Sequence, residues 1–592
     1  MTVSDQEREQ QMRQAEEILG DGPEQRGFAK GLFFGEFSND ELLPYPDRGH
    51  DEFTDQLVER LREFCRTEVD PQQIDRQAEI PAAVISGLGK LGILGACLPR
   101  SCGGLQLSQA SYCRLLEVLG AHCGSTALFV NAHHSIGPRA VVLFGNEDQK
   151  QRWLPKMATG EWISAFALTE PEAGSDAANV QTTATPADDG QSFRISGQKR
   201  WITNGGVADV LTVMARTPVP GSKETKITAF IVTPDMPGFT VLEKRMEKCG
   251  VRGTATSRLE FRDMPVPRAN ILGQLGKGLR VALTVLDFGR TTFGASCTGT
   301  AKRCLELSCA HARNRVQFQH PLADFELVKE KIAWMAAGAF AMEACTYQTA
   351  ALIDSGAGDF MLETAMLKVF STEVLWRIIN DTFQIYGGKA YFTDEPLERM
   401  LRDARINMIG EGANDVLRAF TALVGMRDVG KELEGILRGI QNPLANLIPL
   451  FHFAGRKLGS LVTAPLVRVR NAELESDGAA LAWQVRALGM NVERLLRTYQ
   501  LEILDRQYQL GRAADAATEI YVSACVLNRL DQMLRDHHLT DTARNTALET
   551  GRYYLRTARR RVERWFREMW SNEDGPTTSL ANRILKYGSA GV

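Results

Sequence analysis

No run of 18 apolar residues occurs anywhere in the chain, so no stretch of it reads as a membrane-spanning helix. Cysteine is too sparse and irregular to form a framework. The 11 cysteines are scattered, odd in number and without a Cys-x-x-Cys pair, which excludes a disulfide scaffold or a zinc ribbon and favours a reducing compartment. An excess of one charge sign is also missing. With 69 basic and 72 acidic residues the net charge is −3, which gives no global reason to expect a nucleic-acid partner. The N-terminal stretch "MTVSDQEREQQMRQAEEILGDGPEQ" is too charged for a secretory signal and too acidic for a transit peptide, so a cytoplasmic protein is expected. His133 and His134 are adjacent, do not face one site on a helix, and have no carboxylate or cysteine at fitting spacing; no metal is expected.

What is present is core-forming sequence. Apolar residues make up 44% and charged residues 24% of 592 positions, enough for three or four domains. Residues 1–50 are polar, then carry "FAKGLFFGEF" and "LLPYP", and read as an extended arm. Helical periodicity fills 51–165, as in "DEFTDQLVERLREFCRTEV". Short β-rich runs separated by turn residues fill 166–275, as in "SFRISGQKRWITNGG" and "KITAFIVTP", and predict a compact antiparallel β domain. Helical periodicity returns over 276–430, and a last helical extension runs over 431–592. Strands segregated from helices argue for an α+β fold, mostly α, and against a βαβ nucleotide fold.

Several motifs carry chemistry. "FALTEPEAGSD" (Phe166 to Asp176) supplies the hydroxyls of Thr169 and Ser175, and Gly174 permits close approach to a main chain whose N–H groups can face a phosphate or a ring edge. "KRWITNGG" puts Trp201, Ile202 and Thr203 on a strand before an Asn-Gly turn. Together they suggest two adjacent strands gripping a flat, heteroatom-rich ligand, although a polar loop and a core aromatic explain each one singly. In the helical region stand "DFGR" (Asp287 to Arg290), "RNRVQF" with Arg315, Gln317 and Phe318, and "QIYGG" with Gln384, Gly387 and Gly388. Finally, "GEGANDVLR" sets Glu411 between Gly410 and Gly412, two residues that each weaken a helix by about 1 kcal/mol unless something must come close.

Five of these, "FALTEPEAGSD", "KRWITNGG", "RNRVQF", "QIYGG" and "GEGANDVLR", in this order and spacing, resemble the acyl-CoA dehydrogenase family, and the N-terminal "FAKGLFFGEF…LLPYP" with the long C-terminal tail extends the resemblance to its very-long-chain branch. The resemblance implies a helical N-terminal domain, a central β domain, a C-terminal four-helix bundle and an extra helical domain. It implies FAD as cofactor and oxidation of an acyl-CoA to the trans-2-enoyl-CoA. Glu411 matches the catalytic base. Phe166, Leu168, Thr169, Gly174, Ser175, Trp201, Ile202 and Thr203 match the flavin-ring and ribityl site. Arg315, Gln317 and Phe318, with Gln384, Gly387 and Gly388 of a neighbouring subunit, match the grip on pyrophosphate and adenine, which implies a homodimer. Ala413, Asn414 and Asp415 follow the base in the cofactor motif, while Ser175, Asp287, Arg290, Gly410 and Gly412 match contacts to the substrate and its CoA portion. The implied electron acceptor is an electron-transfer flavoprotein.

Three positions depart from the pattern. Gly410 stands where an aromatic usually precedes the base, Ala413 replaces a threonine, and Asn131 replaces a small residue at the deep end of the acyl tunnel, where its amide would shorten the tunnel. An acyl-CoA oxidase and a catalytically weak assembly scaffold of the same fold remain as alternatives. The tail also has two readings. In "RYYLRTARRRVERWFREMW", Leu555, Ala558, Val562, Trp565 and Met569 form one stripe, which either packs into a bundle or, with the apolar and basic segment Asn446 to Arg470, lies on an anionic membrane.

Overall fold

The computed structural model describes residues 26–46, 50–441 and 463–588. The chain forms two compact units, one of Tyr45–Asn414 and one that joins Arg26–Pro44 to Asp415–Val592.

In the larger unit, helix boundaries follow local chemistry. Asp51 caps α1 (Glu52–Glu68) by accepting from the Thr54 N–H at 2.9 Å, and Ser108 caps α2 (Gln109–His122) through the Ser111 N–H at 3.0 Å. α3 (Gly124–Val130) runs into a π-helical segment, Asn131–Ile136, and then into α4 (Gly137–Phe144). α5 (Glu147–Thr159) opens on a complete capping box between Asn146 and Gln149.

The β domain follows. Its strands are β1 (Ser164–Ala167), β2 (Thr183–Pro186), β3 (Ser192–Ile202), β4 (Val210–Thr217), β5 (Lys226–Val232), β6 (Phe239–Glu243), β7 (Ser257–Pro267) and β8 (Ile271–Leu272), ordered β6-β7-β3-β2-β4-β5-β8, with β1 beside β4. Most neighbours are antiparallel, as expected, but β1 runs parallel to β4 and β2 meets β4 through one parallel pairing. Side-chain alternation reveals that a segment is a strand and not which way its neighbour runs; the long excursion from residue 168 to 209 lets β4 return alongside β1 in the same direction. One face of the sheet packs on Trp153, Met157 and Val285 from flanking helices, and Phe193, Phe230 and Phe261 fill the other.

Three long helices complete the unit: α6 (Gly278–Asn314), α7 (Glu326–Asp354) and α8 (Met361–Tyr386), which pack on one another, α6 and α7 also on α2. Asp354, at the end of α7, accepts from the N–H groups of Gln109 (2.6 Å) and Ala110 (2.9 Å), placing a carboxylate on the α2 N-terminus. Between α6 and α7 a small hairpin of β9 (Val316–Gln317) and β10 (His320–Pro321) stands exposed.

α9 (Leu397–Arg405) closes the larger unit; α10 (Asn414–Gln441) leads into the other, so the expected boundary at 430/431 falls inside one helix. α11 (Glu475–Tyr499), α12 (Gln507–Arg535), α13 (Asp541–Glu568) and α14 (Asp574–Tyr587) form the extension. The expected N-terminal arm is not extended here. Phe28–Phe33 is a helix whose Phe28, Ala29, Leu32 and Phe33 are buried, with Phe28 against Tyr521 at 6.0 Å between rings. The spacing of those four residues makes one apolar helical face, and burial against the extension fixes it. The stripe on α13 packs inward: Ala558 and Val562 are fully buried, Arg561 pairs with Glu519 at 2.8 Å, and Arg559 and Arg564 face Glu563 and Glu568. The bundle reading therefore accounts for that stripe. Of the segment Asn446 to Arg470, residues 446–462 lie outside the described residues.

Candidate active site

Glu411 sits in a turn between α9 and α10, not in a helix, and it is one of the few non-glycine residues with positive φ, +55°. Such a conformation costs of order 1–3 kcal/mol and needs external support. Two buried cations supply it. Arg290 Nε, on α6, donates to the Glu411 carbonyl at 3.3 Å, and Lys368 Nζ, on α8, donates to the Gly412 carbonyl at 2.7 Å. Gly412 itself has φ +100°, where an L side chain would be strained. Gly410 has no such constraint: a Cβ there would meet only the Ile406 carbonyl, at the ordinary contact distance of 3.6 Å.

The carboxylate points inward. Oε1 accepts from Asn131 Nδ2 at 2.9 Å, while buried Oε2 has no hydrogen-bond partner among the described residues. Oε2 lies 2.4 Å from where a Cβ on Gly289 would be, so that glycine makes room for the base. Burial raises the Glu411 pKa to about 7, and Arg290, Lys368 and Asn131 hold it from rising further. Burial likewise lowers the Lys368 ammonium to about 8. The Glu411 N–H makes no backbone hydrogen bond among the described residues. A pocket lined in part by Ala127, Leu128, Phe293, Cys297 and Asn407 has Asn131, the partner of Glu411, in its wall.

Several positions differ from expectation. Asn131, expected at the deep end of an acyl tunnel, reaches the base. Asp287 and Arg290 are no open contact for CoA: both are buried and joined at 2.8 Å, and Asp287 also accepts from Thr364 at 3.0 Å. Their task is to brace the Glu411 turn from α6. Asn414 is buried and spent on Lys368 (2.9 Å), Thr372 (3.0 Å) and Glu373 (3.2 Å), which makes it a clamp onto α8 rather than a free cofactor contact. Asp415 falls in the other unit, where it lies 3.7 Å from Arg418. Ala413 is partly buried.

The two β-domain motifs are brought together. The Arg200 N–H donates to the Thr169 carbonyl at 3.1 Å, so the loop carrying Phe166, Leu168, Thr169, Gly174 and Ser175 runs beside the end of β3. A register shift against β7 between Arg200 and Ile202 turns Trp201 outward, with φ +61° and 48% exposure. Ile202 is 2% exposed in the core, so only its main chain is available, and Thr203 lies in the turn beyond the strand. Phe166 and Leu168 pack partly into the core, whereas Gly174 and Ser175 are exposed.

Underneath lies a pair that sequence reasoning did not find. Lys199 and Glu170, almost fully buried, meet at 2.7 Å; Lys199 also donates to the Leu168 carbonyl at 3.0 Å, and Glu170 accepts from the Thr182 N–H at 3.0 Å. The only available sign was a charge beside each motif, and nothing in a linear reading pairs residues 29 apart.

Arg315, Gln317 and Phe318 occupy the exposed β9–β10 hairpin, Phe318 being 87% exposed with φ +51°. Gln384, Gly387 and Gly388 are exposed at the end of α8, and a Cβ on either glycine would meet nothing within 4 Å. The rings of His133 and His134 in the π-helical segment are used by main chain. His133 bonds the Ser164 N–H and the Met157 carbonyl (both 3.1 Å), and His134 the Cys97 N–H and the Leu94 carbonyl (both 3.0 Å). Burial lowers the His133 pKa to about 4, so its ring is neutral.

Four family models match the chain. They are the acyl-CoA dehydrogenase N-terminal domain (residues 51–161), middle domain (165–264) and C-terminal domain (276–424), and the ACAD9/ACADV C-terminal domain (472–588). The human very long-chain specific acyl-CoA dehydrogenase is 36% identical over 530 residues, covering 87% of this chain and 80% of its own length. The probable acyl-CoA dehydrogenase FadE10 of Mycobacterium tuberculosis is 35% identical over 603 residues, covering 98% of this chain and 91% of its own. Among solved structures, an acyl-CoA dehydrogenase from Bacillus anthracis complexed with FAD aligns with TM-score 0.78 at 28% identity, over 94% of this chain and 95% of that one.

Proposed function

We propose, for a chain that belongs to the acyl-CoA dehydrogenase family, the α,β-dehydrogenation of long-chain acyl-CoA thioesters in fatty-acid oxidation, with electrons passed to an electron-transfer flavoprotein. The reaction class is that of an FAD-dependent acyl-CoA dehydrogenase. The observation that carries the reading is a buried carboxylate with one oxygen engaged and the other free, in a strained turn, its partner Asn131 being part of a pocket wall.

The residues present fit FAD. Trp201 faces outward at the end of β3 beside the loop of Gly174 and Ser175, and a Cβ on Gly174 would meet nothing within 4 Å, so no side chain fills the space there; Gly387 and Gly388, at the end of α8, are equally open toward a second copy. Phe166 to Ser175 and Trp201 to Thr203 would hold the ring and ribityl part. Arg315, Gln317 and Phe318 would hold the pyrophosphate and adenine of a cofactor shared with Gln384 to Gly388 of a second copy. The exposed aromatics Phe318, Tyr391 and Phe392 support such a homodimer. When bound, FAD supplies the oxidant that takes the β-hydrogen with its electron pair.

The protein's own residues do the rest. The α-proton of a thioester is far too weak an acid for a free carboxylate, so the acyl group must be polarised as it is deprotonated. The Glu411 N–H, on the base itself and without a backbone hydrogen bond among the described residues, would donate to the thioester oxygen, and one such donor is commonly worth about 3 kcal/mol. Glu411 Oε2 then takes the α-proton, and loss of the β-hydrogen completes the trans-2 double bond. Gly410 leaves space for an acyl group bulkier near the thioester. The acyl chain is assigned to the pocket beyond Asn131. A cytoplasmic site of action, with peripheral membrane contact through the region of Asn446 to Arg470, belongs to the same proposal; flotation with anionic vesicles tests it.

The test is anaerobic titration of the holoenzyme with saturated acyl-CoAs of increasing length, followed by flavin absorbance. Bleaching strongest with long chains supports the reading, and no bleaching by any straight chain overturns it. Peroxide formed in air faster than a flavoprotein acceptor is reduced would make the enzyme an oxidase.

A further inference from the structure

Asn131 is separated from Glu411 by 280 residues, yet its amide makes the only hydrogen bond to the carboxylate among the described residues. Three features fix that amide. Its Oδ1 accepts from the Thr292 hydroxyl, which leaves Nδ2 as the edge that faces Glu411. Thr292 is held in turn by the Ser135 hydroxyl, 3.1 Å away, and Ser135 stands 3.4 Å from the Tyr112 hydroxyl; all three are buried. The backbone beneath is the π-helical segment, a rare form found frequently at functional sites, anchored by the ring bonds of His133 and His134.

Resting on the reading of Glu411 as the base, we propose that Asn131 is its positioning residue: by donating to Oε1 it fixes the carboxylate and leaves Oε2 as the oxygen that accepts the substrate proton. The other charges facing the site come from α6, with Arg290 and its partner Asp287, and from α8, with Lys368 and nearby Glu373. Arg290 and Lys368 grip main-chain carbonyls and leave the carboxylate to Asn131. A donor to the ionised carboxylate favours that form, so removing it moves Glu411 titration to higher pH.

The test compares wild-type, Asn131→Leu and Thr292→Val holoenzymes. In Asn131→Leu the limiting rate of anaerobic flavin reduction by a saturated acyl-CoA falls by about tenfold or more at neutral pH, the loss expected for one hydrogen bond to a charged group. Acyl-CoA affinity changes little, and the midpoint of the rate against pH moves up. Thr292→Val, which keeps the amide and removes the hydroxyl that orients it, moves the midpoint in the same direction by less; it carries the test if Asn131→Leu does not fold.

A second readout needs no turnover. Infrared titration of the Glu411 carboxyl, isolated by subtraction of the Glu411→Gln variant, shows the same upward movement in Asn131→Leu. An unchanged Glu411 midpoint in a folded, FAD-loaded Asn131→Leu overturns the proposal. If wild-type flavin is not bleached by acyl-CoA, the substrate reading fails, while the infrared titration still decides the role of Asn131.

Discussion

Glu411 pairs a left-handed backbone with a carboxylate whose pKa burial raises to about 7. The base must be ionised to take a proton, so kcat/KM rises as pH passes through about 7 in the free enzyme; a profile flat from pH 6 to 8 would contradict this. Glu411→Gln keeps FAD and acyl-CoA binding and loses about 100-fold or more of the turnover, the usual range for a general base. Gly289→Ala is a sharper probe, because its methyl group would lie 2.4 Å from Oε2. The base must then move, and flavin reduction should slow by about 100-fold with acyl-CoA affinity nearly kept, given the cost of a misplacement of order 1 Å. The acid between two glycines was legible in the sequence as a site of close approach. Its partner was not, since an asparagine in a helical stretch has no linear signal that it will face residue 411.

The β-domain half of the site depends on an element below it. The Lys199–Glu170 pair ties the end of β3 to the loop after β1, and removal of one member strands a buried charge, a change typically costing about 3–5 kcal/mol. Lys199→Met is expected to lower the thermal midpoint and release FAD together, whereas double replacement by Lys199→Met and Glu170→Leu should recover much of the stability. A single variant as stable as wild type would show that the pair is not the clamp. Strand positions were readable from alternation and turn residues. The outward turn of Trp201 was not, because it comes from a register shift against β7, and register belongs to the pair of strands.

For the molecule as a whole, the raised pKa of Glu411 has a thermodynamic counterpart. Its folded value lies above the unfolded one, so between about pH 4.5 and 7 the folded state holds more protons and stability falls as pH rises. Glu411→Gln, which mimics the protonated form, is therefore expected to raise the thermal midpoint at pH 8, with the gain fading toward the ordinary carboxylate range. An equal or lower midpoint at pH 8 would show that the ionised base is not a net cost. The broad order of helical, β and helical regions was readable from periodicity. The fate of the N-terminal stretch was not, because the partner of "FAKGLFF" lies hundreds of residues downstream.

That stretch has a consequence for how the chain is made. The helix Phe28–Phe33 belongs to the unit completed by residues from Asp415 onward, so the whole catalytic unit is inserted between two parts of another. On the ribosome, Phe28, Leu32 and Phe33 emerge early and must wait, uncovered, while nearly 400 residues are added and fold. A nonsense codon just after Asn414 would leave those side chains without their cover for good. The encoded fragment would keep Glu411 and its surroundings and still be expected to clump, failing through the helix Phe28–Phe33 rather than its chemistry.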